Sequence, residues 1–312
     1  MGDGSNLQKV FKKGMYIMTI PRAIYYCWFG GNKPQPVLDC IENWREKLPN
    51  YEIIEINEHN KELFDIEKEC QNNLWFKTIW ENKMWAYVAD YARLKVLYER
   101  GGVYFDTDVT VEKDITELLE KNKLVLGWED KQSINIAVGV VIVGNPLIKE
   151  MLDFYNEDIW HSKLYTIPQI ATYVLRKHYN LNSSIEITEN DDILILPQEY
   201  FYPLPIGIKV NANYVTPNTY TIHWWDASWV KSNIDYFMKN KHKIELNKLL
   251  KQCFEKKVII NNKFLNIEKL HQKYSIEIDW YYAFRFKHKY YDTKKFLTLF
   301  ILGVQIPVWR TR

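Results

Sequence analysis

The nine residues Gly101-Gly102-Val103-Tyr104-Phe105-Asp106-Thr107-Asp108-Val109 restrict the folds open to this chain more than any other segment. Paired glycines let the backbone turn sharply and pass close to its neighbours. Val103, Tyr104 and Phe105 are β-branched or aromatic and predict a short buried strand. Two carboxylates two residues apart close that strand. Hard divalent cations take oxygen ligands, and Mg²⁺ or Mn²⁺ commonly bridges one or two carboxylates to a diphosphate. Asp106 and Asp108 are therefore candidate ligands for a metal and a nucleoside diphosphate. An acidic surface turn is the ordinary alternative, and the flanking residues decide between the two.

Upstream, Met84 to Arg100 contains no Gly or Pro and predicts a helix. Trp85, Val88, Ala89, Ala92 and Val96 recur at helical spacing as a core face. Arg100 suits the negative end of the helix dipole, and Gly101 is a good stop. Asp90 and Arg93, three apart, share one helix edge. They are either a surface ion pair or a polar pair aimed at a ligand beside the Asp-x-Asp strand. Near the N-terminus, Ala23–Phe29 predicts a first strand running into Gly30-Gly31. Ligands in open α/β sheets sit beyond the carboxyl ends of strands. Trp28 there can stack on a base while backbone groups of Cys27 and Trp28 meet its edge, or it can be core.

Further strands are expected at Tyr51–Ile56, Leu124–Trp128, Val138–Val143 and Ile193–Leu196. Helices are expected at Val37–Lys47, Lys61–Cys70, Pro146–Ile159, Pro168–Tyr179 and Ile234–Lys257, with loops over 181–192 and 211–218. Alternating strands and helices indicate an α/β sheet covered on both faces. A hydrophobic content of 47% excludes a disordered chain. The cysteines Cys27, Cys40, Cys70 and Cys253 form no CxxC pair, which argues against a zinc site or disulfide framework and for a reducing cytoplasm. No apolar run reaches the ~20 residues that span a bilayer, and the first residues lack the apolar stretch of a signal peptide.

Three segments together resemble glycosyltransferase family 32 and the catalytic domains of large clostridial glucosylating toxins. They are the Ile20-Pro21 to Trp28-Phe29-Gly30-Gly31 opening, the centre from Ala89-Asp90 through Arg93 to Asp106-Thr107-Asp108, and Ile222-His223-Trp224-Trp225-Asp226-Ala227-Ser228-Trp229. The resemblance implies a GT-A type, Rossmann-like nucleotide-sugar-binding domain over residues 18–230. A loose arm (1–17) precedes it and a basic helical C-terminal appendage (231–312) follows. It also implies a Mn²⁺ or Mg²⁺ requirement, a nucleotide-sugar donor with UDP favoured, and retention of anomeric configuration. Carried over residue by residue, Trp28 and Cys27 lie at the nucleobase, and Asp90 and Arg93 hold ribose or sugar. Tyr104 is a donor-site residue. Asp106 meets ribose and metal, Asp108 ligates the metal, and His223 or Ser228 completes the metal or diphosphate shell, with Trp229 over the phosphates. Asp106, Asp108 and Arg93 form the catalytic set, with Arg93 and the metal opposing charge on the leaving diphosphate. Glu129, Asp130 and Asn135, around the end of the Leu124–Trp128 strand, are polar candidates for facing the sugar; turn acids are the plain alternative.

Residues 231–312 hold 18 Lys/Arg against 7 Asp/Glu, while the rest of the chain is acidic. Aromatics interleaved with cations over 280–302 suit an anionic bilayer interface, where a lipid-linked acceptor in capsule or lipopolysaccharide synthesis would lie. They equally suit a packed basic subdomain and, less well, single-stranded nucleic acid. The expected location is cytoplasmic and peripheral on the membrane's inner face. Competing functions are a metal-dependent nucleotide-sugar hydrolase and a non-enzymatic nucleotide- or RNA-binding module.

Overall fold

The computed structural model describes residues 19–181, 183–207, 214–225 and 232–254, plus the backbone of five strands between 257 and 310. The arm expected over 1–17, and Ser228 and Trp229, lie outside the described residues. The chain divides into two units, 1–229 and 230–312.

In the first unit the order is β1 (Ala23–Cys27), α1 (Gln35–Lys47), β2 (Glu52–Ile56), α2 (Ile66–Asn72), α3 (Leu74–Glu81), α4 (Trp85–Arg100), β3 (Gly102–Phe105) and β4 (Val109–Val111). It continues through α5 (Thr116–Glu120), β5 (Leu124–Trp128), β6 (Ile134–Val141), α6 (Pro146–Asp153) and a π turn over Phe154–Asp158. It ends with α7 (Ile167–His178), β7 (Thr188–Glu189), β8 (Ile193–Leu196), α8 (Gln198–Phe201) and β9 (Thr221–His223). Seven strands form one mixed sheet in the order β2-β1-β3-β6-β5-β8-β7. β1 is parallel to β2 and to β3, so the chain steps to one side of β1 and then to the other. That reversal opens a crevice beyond the carboxyl ends of β1 and β3.

Strand residues divide between two helical layers. Ile24, Tyr26, Val103 and Phe105 join the cluster that includes Val37, Ile41 and Trp44 of α1. Cys27 on the other face directs its thiol at the Ala89 carbonyl of α4 (3.8 Å). The expected core face of α4 proves too narrow. Tyr87, Tyr91, Leu94 and Leu97 are also buried, while Trp85 and Ala89 are only half-buried. A helix enclosed on nearly every side shows little amphipathic signal.

Gly101 and Gly102 earn their identity twice. Their φ values are +67° and +106°, and a Cβ would lie 2.8 Å from Val143 N and 2.8 Å from Ala23 O, respectively. Helix entries follow local chemistry. Asp65 accepts from Lys68 N at α2, and Asn145 accepts from Leu147 N and Ile148 N at α6. The sequence boundaries shift accordingly: α2 begins after Asp65, β6 begins four residues before Val138, and β1 stops at Cys27. α3, β4 and α5 are short elements that periodicity does not reveal.

The second unit differs from the expected helical appendage. Its helices are α9 (Ser232–Asn240) and α10 (Leu246–Phe254). Beyond them the described segments are strands: β10 (Lys257–Ile260) with β11 (Lys263–Asn266), and an antiparallel sheet of β12 (Arg285–Tyr291), β13 (Lys294–Ile301) and β14 (Val304–Arg310). Cations alternate with aromatics through Arg285-Phe286-Lys287-His288-Lys289-Tyr290, the period of a strand rather than a helix.

Candidate metal and nucleotide-sugar site

The Asp-x-Asp motif lies on the tight turn between β3 and β4. Val109 N donates to Asp106 O at 3.1 Å, closing the turn. Asp106 N donates to Ala137 O of β6 at 2.8 Å, tying the turn to the sheet. β4 then pairs with β9, Val109 opposite His223. That short ribbon brings residues 115 apart in sequence into contact: His223 Nε2 is 3.0 Å from Asp108 Oδ1. Trp224 N also donates to Asp108 O at 2.8 Å. One ligand atom from each of Asp106, Asp108 and His223 falls within 4.8 Å of the others.

This donor set fits a divalent cation. Two carboxylates suit Mg²⁺ or Mn²⁺, and one imidazole tilts the choice toward Mn²⁺. His223 Nδ1 is buried without a hydrogen-bond partner, and the side chains of Asp106 and Asp108 keep 25% and 21% of their surface open. Burial opposes charge on His223, but the Asp108 hydrogen bond and the Asp108, Asp106 and Glu129 charges hold its pKa above the ordinary value.

Beneath the turn lies a buried charge network. Arg93 is 4% exposed. Its Nη2 reaches Asp90 Oδ1 at 3.0 Å and Asp106 Oδ1 at 2.9 Å, and its Nη1 donates to Ile136 O at 3.1 Å. The guanidinium sits 4.4 Å from the Tyr104 ring centroid, and Tyr104 OH donates to Asp106 Oδ1 at 3.1 Å. Burial raises the Asp90 carboxyl to about 7 against the opposing pull of Arg93. The same desolvation raises Asp106, again against Arg93. Asp90 and Arg93 are therefore no surface ion pair. Arg93 has its donors committed to protein partners, so it holds the Asp106 carboxylate in place from below.

At the end of β1, Trp28 is half-buried and its Nε1 donates to Gly31 O at 2.8 Å, fixing the ring. Cys27 lies inward with its thiol pushed up to about 12 by desolvation, so its side chain stays a neutral part of the packing. The structure brings Asp90, Arg93, Tyr104, Asp106, Asp108 and His223 together, with Cys27 at the end of the adjoining strand and Trp28 just beyond it.

Residues 34–125 match the family model described as a glycosyltransferase sugar-binding region containing a DXD motif. That span is a DXD-containing glycosyltransferase sugar-binding region. Asp90, Arg93 and the Asp-x-Asp turn fall inside the matched span, and His223 falls outside it. The chain is 26% identical over 168 residues to lactosylceramide 4-alpha-galactosyltransferase of Pongo pygmaeus, covering 49% of this chain and 74% of that protein. Against the Homo sapiens protein of the same name it is 28% identical over 168 residues, 49% of this chain and 46% of the relative. The chain thus spans about half the length of most curated relatives it matches. The solved PaToxG glycosyltransferase superimposes with a TM-score of 0.42 at 17% identity, over 51% of this chain and 70% of that one.

Two further features behind His223 escape sequence reading. Trp225 adopts φ +56°, uncommon for a bulky residue, and its ring lies 4.1 Å from that of His223. Its Nε1 donates to Leu204 O at 2.6 Å, so the imidazole is backed by a fixed indole. Tyr202 OH accepts from Val138 N at 3.0 Å behind the same ring. Trp225 lies in the segment that carries the late resemblance, but nothing in the sequence marks it or Tyr202 as a support for His223, because both act through a fold-dependent neighbour.

Proposed function

We propose that this chain transfers a sugar from a nucleoside diphosphate donor, UDP by preference, to a saccharide or lipid-linked saccharide acceptor, with retention of configuration and in the building of a surface polysaccharide. The carrying observation is the convergence of His223 from β9 on Asp106 and Asp108 at the switch point of the sheet. The three residues would hold Mn²⁺ or Mg²⁺. A divalent ion there supplies positive charge opposite a leaving diphosphate, where fixed charge contributes most to catalysis.

The remaining residues orient the donor. Trp28 stacks on the base beyond β1, Asp106 meets ribose and cation, and Arg93 with Tyr104 keeps the Asp106 carboxylate aimed. Asp90 contacts sugar hydroxyls at the floor of the crevice. Ser228 and Trp229 follow β9 in sequence and are assigned to the phosphates by resemblance. Among the described residues no helix is long and apolar enough to cross a membrane. The basic aromatic stretch 280–302 supports peripheral contact with an anionic, cytoplasmic membrane face.

Thermal shift with UDP, GDP and CDP, each with and without Mn²⁺, tests this reading. A ligand at a hundred times its Kd stabilises by about 2.7 kcal/mol. UDP should raise Tm only with the metal, and a sugar-release assay then separates transfer from hydrolysis. Nucleotide shifts equal with and without metal would contradict it.

A further inference from the structure

We infer that Glu129 is the catalytic base of this site, taking the proton from the incoming acceptor hydroxyl. The inference rests on the transferase reading above and assigns its acceptor side.

Strand directions place the residue. β1 is parallel to β3, β3 is antiparallel to β6, and β6 is antiparallel to β5. The carboxyl ends of β1, β3 and β5 therefore share one edge of the sheet, with the first residues of β6 between the last two. Along that edge stand Trp28, Asp106, Asn135 and Glu129, in that spatial order. Strands lie about 4.8 Å apart, so the β5 end is about 10 Å from the Asp-x-Asp strand. A donor with its base at β1 and its diphosphate at β3 projects its sugar toward β5.

Glu129 is fixed by the frame that fixes the metal turn. Asn135 Nδ2 donates to Glu129 Oε2 at 2.8 Å. Asn135 Oδ1 accepts from Ile136 N (2.7 Å) and Ala137 N (3.0 Å). The carbonyls of those two residues hold Arg93 and Asp106. A shift of the β6 entry would thus move Glu129, Arg93 and Asp106 together. The neighbouring Asp130 is spent otherwise: its Oδ1 accepts from Gln132 N and Ser133 N, closing the hairpin turn.

The electrostatics agree. Burial, then Asp130, push the Glu129 carboxyl up to about 7, against the Asn135 hydrogen bond and the His223 charge. The other groups facing this corner are Tyr202, whose own titration responds to Glu129, and Arg176 of α7, which donates to Gln132 O and lies over the Trp128 ring. A base whose pKa lies near the working pH is the most effective one. In the step, the acceptor O–H bond breaks with its proton passing to Glu129. The acceptor oxygen bonds to the anomeric carbon on the face from which the diphosphate departs, so configuration is retained, and the bond from that carbon to the diphosphate oxygen breaks, its electron pair leaving on the diphosphate.

The test uses the full chain with Mn²⁺, water as acceptor, and whichever of UDP-galactose, UDP-glucose and GDP-mannose the wild type hydrolyses. Glu129→Gln should keep the metal-dependent UDP shift in Tm, release sugar about a hundredfold more slowly, and lose the fall in rate below pH ~7. Azide carries no proton to remove, so it should restore turnover of Glu129→Ala as a glycosyl azide. Wild-type rates in Glu129→Gln would overturn the inference. So would a slow variant that keeps the original pH limb and gains nothing from azide. If the wild type shows neither a nucleotide shift nor sugar release, the transferase reading falls first and takes this inference with it.

Discussion

Replacing Arg93 by Met removes the cation between the buried Asp90 and the partly buried Asp106 carboxylates while keeping much of the side-chain volume. Arg93 is 4% exposed, and its Nη2 lies 3.0 Å from Asp90 and 2.9 Å from Asp106. Deleting one partner of a buried pair leaves uncompensated charge and costs about 3–5 kcal/mol, a large share of the ~5–15 kcal/mol that holds a typical protein folded. The effect depends on pH with a definite sign. Asp90 already has its folded pKa raised to about 7, above its unfolded value of about 3.9. Its contribution to stability is therefore fully present below pH ~4 and is lost as pH rises through 7. Without Arg93 that loss deepens. Urea denaturation of Arg93→Met should show a deficit of about 3–5 kcal/mol at pH 8 that narrows toward pH 5. Adding Asp90→Asn should recover part of it. A deficit under about 1 kcal/mol at pH 8, or one independent of pH, would refute the buried network.

Asp108→Asn should abolish the Mn²⁺-dependent shift with UDP while leaving the ligand-free Tm near wild type; a full shift in the variant would count against metal ligation there. Gly102→Ala places a Cβ 2.8 Å from Ala23 O at φ +106° and should cost about 2 kcal/mol or more by denaturant titration. Trp28→Ala should weaken UDP affinity by about 1–3 kcal/mol, the contribution of one base stacked on an aromatic ring, measured by calorimetry. Removing residues 285–312 should reduce cosedimentation with anionic liposomes more than it reduces UDP affinity; unchanged cosedimentation would remove the membrane role of the tail.

The parts of this fold that sequence exposes are those written in consecutive residues. Gly101-Gly102, the Val103–Phe105 strand and the Asp-x-Asp turn are one uninterrupted signal, and both glycines occupy positive-φ positions with no room for a Cβ. What it hides depends on pairing across long separations. β4 and β9 are three residues each, too short for periodicity, yet their pairing carries His223 to Asp108. Arg93 is legible only in part for the same reason: spacing places it beside Asp90, but only the packing of α4 against β3 shows Asp106 on its other side. Trp225 becomes visible as a support for His223 only once the backbone angle and the ring contact are known. The C-terminal strands were legible in the alternation of cations and aromatics, a pattern that the overall basic character of the tail obscured.

Diffraction at the manganese absorption edge, on crystals holding Mn²⁺ and UDP, locates the cation itself. One anomalous peak is expected within bonding distance of the Asp108 carboxylate and His223 and next to the UDP diphosphate. A peak elsewhere, or UDP bound in the crevice with no manganese between it and Asp108, would contradict it.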